Sequence, residues 1–127
     1  MKPHALSDNF TGPYLEHFAD GSVSCSGAYE NGLQTGHWIY YLKGGAKKAE
    51  GWFVDGRFEG VWTWWRATGG KLQEGTYKAG EQDGYWRRWH ATGALIDEGE
   101  FRAGKKVGPW KTYDKAGSLK AEKTFKG

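Results

Sequence analysis

The sequence predicts an all-β fold, an elongated and twisted antiparallel meander of about ten strands built from tandem β-hairpin units. Three observations predict it. Gly12, Gly36, Gly60, Gly84 and Gly108 lie 24 residues apart, and each is followed two residues later by a large aromatic, Tyr14, Trp38, Trp62, Trp86 or Trp110. The 8 Trp, 7 Tyr and 6 Phe match the 21 glycines in number, so rings supply most of the apolar surface and glycines most of the punctuation. Pairs such as Asn31-Gly32 and Asp55-Gly56 carry the positive φ angles that tight hairpin turns require.

Residues 1–11 fall outside the register and read as an N-terminal cap or tail, with Leu6 and Phe10 placed to fold over the first strand. The remaining 12–127 form a single array of about five units, 12–35, 36–59, 60–83, 84–107 and 108–127. In the first unit Tyr14 takes the framework place of tryptophan and Tyr29 opens a second ring column through Phe53, Tyr77, Phe101 and Phe125. The second unit, GHWIYYLKGGAKKAEGWFVDGRFE, has two runs rich in Trp, Tyr, Ile, Phe and Val, interrupted by Gly-Gly and Asp-Gly. Two strands of about eight residues and two short connections fill such a unit. The third and fourth units repeat this order, with Gly80 and Gly104 serving as turn glycines behind an alanine. In the last unit Pro109 repeats Pro13, a residue expected at strand starts or edges because it donates nothing to a ladder. Lys123 breaks the glycine row Gly27, Gly51, Gly75, Gly99, and Gly127 falls where residue 128 was due, so a frayed or dimer-paired C-terminal edge is expected.

Other repeats of similar period fit less well. A leucine-rich repeat needs leucine where this chain has Trp, Tyr and Gly, and a helical unit would lose about 1 kcal/mol for each interior glycine relative to alanine. The glycines have a mechanical reading in a sheet. Gly51 shares the parity of Phe53, and Gly36 that of Trp38, so each lies on the rings' side of the pleat. A missing side chain makes room for an aromatic from the next strand, or the Gly36 type marks bulges that coil the sheet.

Composition narrows function. A formal net charge of +3 is too small to argue for nucleic acid, and none is expected as a partner. Its distribution is uneven: one lysine against four acids in residues 1–35, but five bases against two acids in residues 108–127. Cys25 is the single cysteine, which excludes an internal disulfide and fits a cytoplasmic home. Met1 to Asp8 lacks an apolar signal segment and no run approaches the length of a membrane span, so a soluble protein is expected.

The pattern G-x-W-x-x-Y/W-x-x-x-G-x-x-x-x-E-G-x-Y/F-x-x-G, carried by GHWIYYLKGG, GVWTWWRATGG, GYWRRWHATG and GPWKTYDKAG, resembles the MORN repeat over roughly residues 12–127. The resemblance is to the longer bacterial variant found in YwqK-like antitoxin or immunity proteins. It implies an elongated, twisted antiparallel sheet with a groove, and a role like those of the scaffolds, membrane-junction proteins, parts of methyltransferases and bacterial antitoxin or immunity proteins that such repeats resemble.

No enzyme is expected from the residues themselves. His4, His17, His37 and His90 stand in different columns without metal-ligand spacing, the serines lack a nucleophile-elbow context, and no glycine run matches a phosphate loop, so neither metal nor cofactor is expected. The repeated Glu50, Glu74, Glu98 and Glu122 suit a structural task, bonding a turn amide or pairing with a base.

Binding residues are sought where the copies disagree. Glu16, Tyr40, Trp64, Arg88 and Thr112 form one such column, and Phe18, Leu42, Arg66, His90 and Asp114 another. Tyr40, Trp64, Arg66, Arg88 and His90 form the candidate partner-binding patch, and Trp52 is a further outlier among Ala28, Thr76, Glu100 and Thr124. The plainer alternative is that Tyr40 and Trp64 cover the sheet while Arg66 and Arg88 stack on neighbouring rings. A protein partner, with a toxin as the specific expectation, stands first. Binding to anionic lipid or phosphoinositide stands second, and self-association as a homodimer or scaffold through open sheet edges third. Lys47, Lys48, Lys105 and Lys106 read as solvated edges rather than lipid contacts.

Overall fold

A computed structural model describes residues 9–126. Leu6 and Gly127 lie outside the described residues. Ten strands occur in chain order: β1 Gly12–His17, β2 Val23–Glu30, β3 Leu33–Tyr41, β4 Lys47–Val54, β5 Arg57–Trp65, β6 Lys71–Lys78, β7 Glu81–Trp89, β8 Leu95–Arg102, β9 Lys105–Tyr113 and β10 Leu119–Phe125. They make one sheet in the order β1 to β10, every strand antiparallel to its sequence neighbour. The expected all-β meander of hairpin units is therefore the architecture found.

Alternation along each strand divides the sheet into a ring face and a back face. On the ring face lie Trp38, Trp62, Trp86 and Trp110, all buried, with Trp38 and Trp62 only 1% exposed. The Tyr29, Phe53, Tyr77 and Phe101 rings meet them edge-on, for instance Tyr29 and Trp38 at 5.4 Å and 89°, and Tyr77 and Trp86 at 5.1 Å and 88°. This geometry sets the positive edge of one ring against the negative face of the next. The core is thus a single file of rings running across the strands.

The two glycine columns have different tasks. A Cβ on Gly27, Gly51, Gly75 or Gly99 would come within 2.0–2.2 Å of the indole of Trp38, Trp62, Trp86 or Trp110, respectively. These glycines are beds on which the indoles lie. Gly36, Gly60, Gly84 and Gly108 instead take positive φ, between 69° and 116°, at the places where the ladder slips: Ser26 pairs with Ile39, but Ala28 pairs with Thr35. They mark bulges. The indole N–H bonds the carbonyl of the residue after each bed glycine, Ala28 (3.1 Å), Trp52 (2.9 Å), Thr76 (3.0 Å) and Glu100 (3.0 Å). One side chain therefore fills the bulge and satisfies a main-chain acceptor beside it.

Pro109 corrects the expectation of a strand start or edge. It lies inside β9, paired with Thr124 on one side of the strand while β8 flanks the other. The bulge at Gly108 makes this tolerable, since a proline at a bulge removes no regular ladder bond. Lys123 faces Trp110 across β9 and β10, where internal units have a glycine, and its Nζ stands 5.0 Å from the Phe125 ring. The row of ring beds ends there.

The hairpin turns between units place two successive residues at positive φ: Asn31 and Gly32, Asp55 and Gly56, Ala79 and Gly80, Ala103 and Gly104. This is the type I′ conformation, which matches strand twist. Alanine pays a steric cost there. Its N–H is nonetheless held, Ala79 N donating to Glu59 Oε1 at 2.8 Å and Ala103 N to Asp83 Oδ1 at 3.1 Å. Ala79→Gly and Ala103→Gly keep those donors and relieve the left-handed strain, so each is expected to raise stability by about 0.5–1 kcal/mol. An unchanged or lower urea midpoint in the double variant would show that the turns carry no such strain.

Candidate functional site

The ring face has a second layer between the indoles, and its composition varies along the array. Tyr40 stacks on Trp38 at 5.9 Å and lies 6.3 Å from Trp62; Trp64 lies 5.8 Å from Trp62 and 6.1 Å from Trp86, tilted by 31° and 30°. Ala49, buried and paired with both Tyr40 and Trp64, leaves the space these rings occupy. Phe58 stacks on Trp62 at 4.2 Å and completes an aromatic centre.

Outside that centre the filler is polar and the face opens. At the N-terminal side Glu16 holds the position of Tyr40 and accepts the Tyr14 hydroxyl, while Gln34 donates to the Tyr40 hydroxyl at 3.1 Å. A cavity of about 200 Å³ lies there, lined in part by Trp38, Cys25 and Lys48. At the C-terminal side Arg88 takes the position of Trp64. Its guanidinium binds Asp97 through two bonds, Nε to Oδ1 at 3.0 Å and Nη2 to Oδ2 at 2.8 Å. That contact raises the Arg88 pKa above its ordinary value. A second cavity, of about 210 Å³, opens there between Trp86 and Trp110.

The six residues singled out from sequence occupy three places. Tyr40, Trp64 and Arg88 share the ring face. Arg66 and His90 do not continue their row, because the ladder slips between Trp64 and Trp65 and between Arg88 and Trp89. They begin the five-residue loops 66–70 and 90–94 instead and reach sideways: Arg66 Nη2 donates to the Trp89 carbonyl at 2.8 Å, and His90 Nε2 lies 3.5 Å from the Tyr113 carbonyl. Together with Lys71 and Trp89 they line a cavity of about 270 Å³ along the loop edge. Trp52 is on the back face, 50% exposed, its ring 4.8 Å from that of His37 and tilted by 37°. Arg66 and Arg88 thus bond a carbonyl and a carboxylate, and the cations found over rings include Lys47 on Trp65 and Lys71 on Trp89.

Three of the repeated glutamates, Glu50, Glu74 and Glu98, pair with bases rather than with turn amides. Glu50 meets Lys47 at 2.9 Å and His37 at 2.7 Å, Glu74 meets Lys71, and Glu98 meets Arg87 at 3.2 Å. Glu98 also accepts the hydroxyls of Tyr113 and Tyr85. The Tyr113 bond, foremost, holds the Glu98 carboxyl below its ordinary range, and in return Tyr113 is pushed up to about 12. The His37, Arg87, Tyr85 and Tyr113 contacts brace neighbouring strands, whereas Lys47–Glu50 and Lys71–Glu74 lie within β4 and β6.

One informative column escaped the sequence reading. Phe10, Gln34, Phe58, Gln82 and Lys106 stand beside the hairpin turns, paired in Gln34, Phe58, Gln82 and Lys106 with the ring column Tyr29, Phe53, Tyr77 and Phe101. The copies disagree there as strongly as at Trp64, so the same criterion applied at the strand starts would have found it.

Among the described residues no group of three or more His, Cys, Asp or Glu side chains is arranged to hold a metal ion. Among the same residues no helix is long and apolar enough to cross a membrane.

Fold and face together define a tandem β-hairpin repeat protein with one aromatic, partly open surface. The MORN repeat variant family model matches residues 106–126, covering most of β9 and all of β10, and supports a MORN-repeat protein. The four preceding units keep the glycine and ring columns of that segment. No curated protein matches the chain.

Proposed function

We propose that the chain is a non-enzymatic binding module whose ring face holds a partner protein, and that the partner is a bacterial toxin whose active surface the array occludes. The carrying observation is the ring face itself. Its aromatic centre at Phe58, Tyr40 and Trp64 is only partly buried and is flanked by two cavities edged with polar side chains. An apolar middle with a polar surround is the usual anatomy of a protein interface. The toxin identity rests on the resemblance to YwqK-like proteins alone.

Co-expression with the product of the adjacent gene tests this reading. A complex that survives size-exclusion chromatography is expected, and Arg88→Glu combined with Tyr40→Ala should raise its Kd at least about tenfold. Val61→Lys, on the exposed back face, should leave it unchanged. Binding destroyed by Val61→Lys and untouched by the ring-face pair would move the interface to the other side of the sheet. Salt-sensitive sedimentation with anionic vesicles, and no protein complex, would replace the proposal by a membrane-surface role.

A further inference from the structure

The two ring-face cavities differ in what their polar groups are already doing. In the N-terminal one the carboxylate of Glu16 and the amide of Gln34 are engaged by Tyr14 and Tyr40, and the one buried polar atom without a partner among the described residues is the Ser24 hydroxyl, which is neutral. In the C-terminal one the walls are Trp86, Phe101 and Trp110, and the polar side chains facing the space are Gln73, Gln82, Arg88, Asp97 and Lys106. Arg88 and Asp97 neutralise each other. The side-chain amides of Gln73 and Gln82 bond to no described residue, and Lys106 has no carboxylate partner among the described residues. Its ammonium is instead held over rings, 4.6 Å from the Trp110 centroid and 5.6 Å from Phe125. Lys123 adds a second cation with no carboxylate partner among the described residues on the same side, 5.0 Å from Phe125.

We infer that the cavity between Trp86 and Trp110 is an anchor pocket for an acidic side chain, a glutamate, on the partner protein. This rests on the ring-face reading above. A glutamate has the two features the pocket asks for. Its methylenes are apolar and suit indole and phenyl walls, and its carboxylate can accept from an ammonium and from amide N–H groups, which are the unspent donors here. Local charge argues the same way. Arg88, Lys106 and Lys123 stand against Asp97 alone on this part of the ring face, a surplus of two positive charges that attracts an acidic segment and repels a basic one. Cation–π contacts hold Lys106 in place before any partner arrives, so little side-chain freedom remains to be lost on binding.

The test uses the full chain and a defined probe. The protein is labelled with 15N and titrated with the capped tripeptide acetyl-Ala-Glu-Ala-amide and with its glutamine analogue, each up to about 20 mM, a range suited to a single-side-chain contact. The indole N–H resonances of Trp86 and Trp110 should shift saturably with the glutamate peptide and at least threefold less with the glutamine peptide. Those of Trp38 and Trp62 should stay put. Lys106→Gln should abolish the response, and Gln82→Leu should weaken it, with unchanged indole dispersion showing that each variant is folded. Equal responses to both peptides, no response, or a response at Trp38 and Trp62 as large as at Trp86 would overturn the pocket. Failure here would leave the co-expression complex and its Arg88→Glu, Tyr40→Ala sensitivity standing, whereas absence of that complex would sink the ring-face reading itself.

Discussion

Gly75→Ala is expected to lower unfolding free energy by about 3 kcal/mol, at the upper end of what overpacking a core costs. The added methyl would lie 2.0 Å from Cδ2 and 2.2 Å from Cε2 of Trp86. Trp86 cannot slide away at low cost. It is 3% exposed, its N–H is bonded to the Thr76 carbonyl, Tyr77 meets it edge-on at 5.1 Å and Trp64 lies 6.1 Å off. In a chain of this size the change should lower Tm by roughly 10 °C. Gly70→Ala is the matched control: no atom lies within 4 Å of its built Cβ and its φ is outside the left-handed range, so it should be neutral or mildly stabilising. Similar denaturant midpoints for the two variants would refute the view that the Gly75 column exists to bed an indole.

The second large effect concerns position within the array. Trp62 is 1% exposed, stacked on Phe58 at 4.2 Å, met edge-on by Phe53 at 5.2 Å and bonded to the Trp52 carbonyl at 2.9 Å. Trp62→Ala removes all of this, and a cost of about 4–6 kcal/mol is expected from the lost ring and the stranded carbonyl together. Trp62→Phe keeps most of the packing but strands the same carbonyl, for about 1–3 kcal/mol. Each unit touches only its neighbours, so the array is nearly one-dimensional. Loss at the central unit should separate two half-sheets, and unfolding should cease to be a single transition. Trp110→Ala, near the last strand, should fray β9 and β10 and leave the rest folded. Equal costs and equal cooperativity at Trp62 and Trp110 would contradict this.

Much of the fold was legible because the repeat states each requirement several times. Glycine and ring columns in phase, with Asn-Gly and Asp-Gly pairs between them, left the antiparallel meander as the arrangement that satisfies both turn chemistry and period. The task of each glycine column was less legible. Sequence parity puts the Gly36 and Gly51 types on the ring side alike; the folded sheet separates them into a bulge with positive φ and a bed with a ring across it. Counting by twos fails at each slip of the ladder. That is why Arg66 and His90 lie along the loop edge instead of beside Trp64 and Arg88. Trp52, one residue from Phe53, was readable as a back-face residue by alternation alone.

What the sequence determined by itself is the unit, its number and its ring framework, because period, turn residues and ring positions are local properties that recur in every copy. What only the tertiary structure decided is which variable positions meet. Gln73, Gln82, Arg88 and Lys106 come from β6, β7 and β9 and share one cavity because bulges and antiparallel pairing bring them together across the strands. No spacing along the chain encodes that meeting directly. It follows from where each ladder slips, and the slip is set by the fit of an indole onto the glycine of a neighbouring strand.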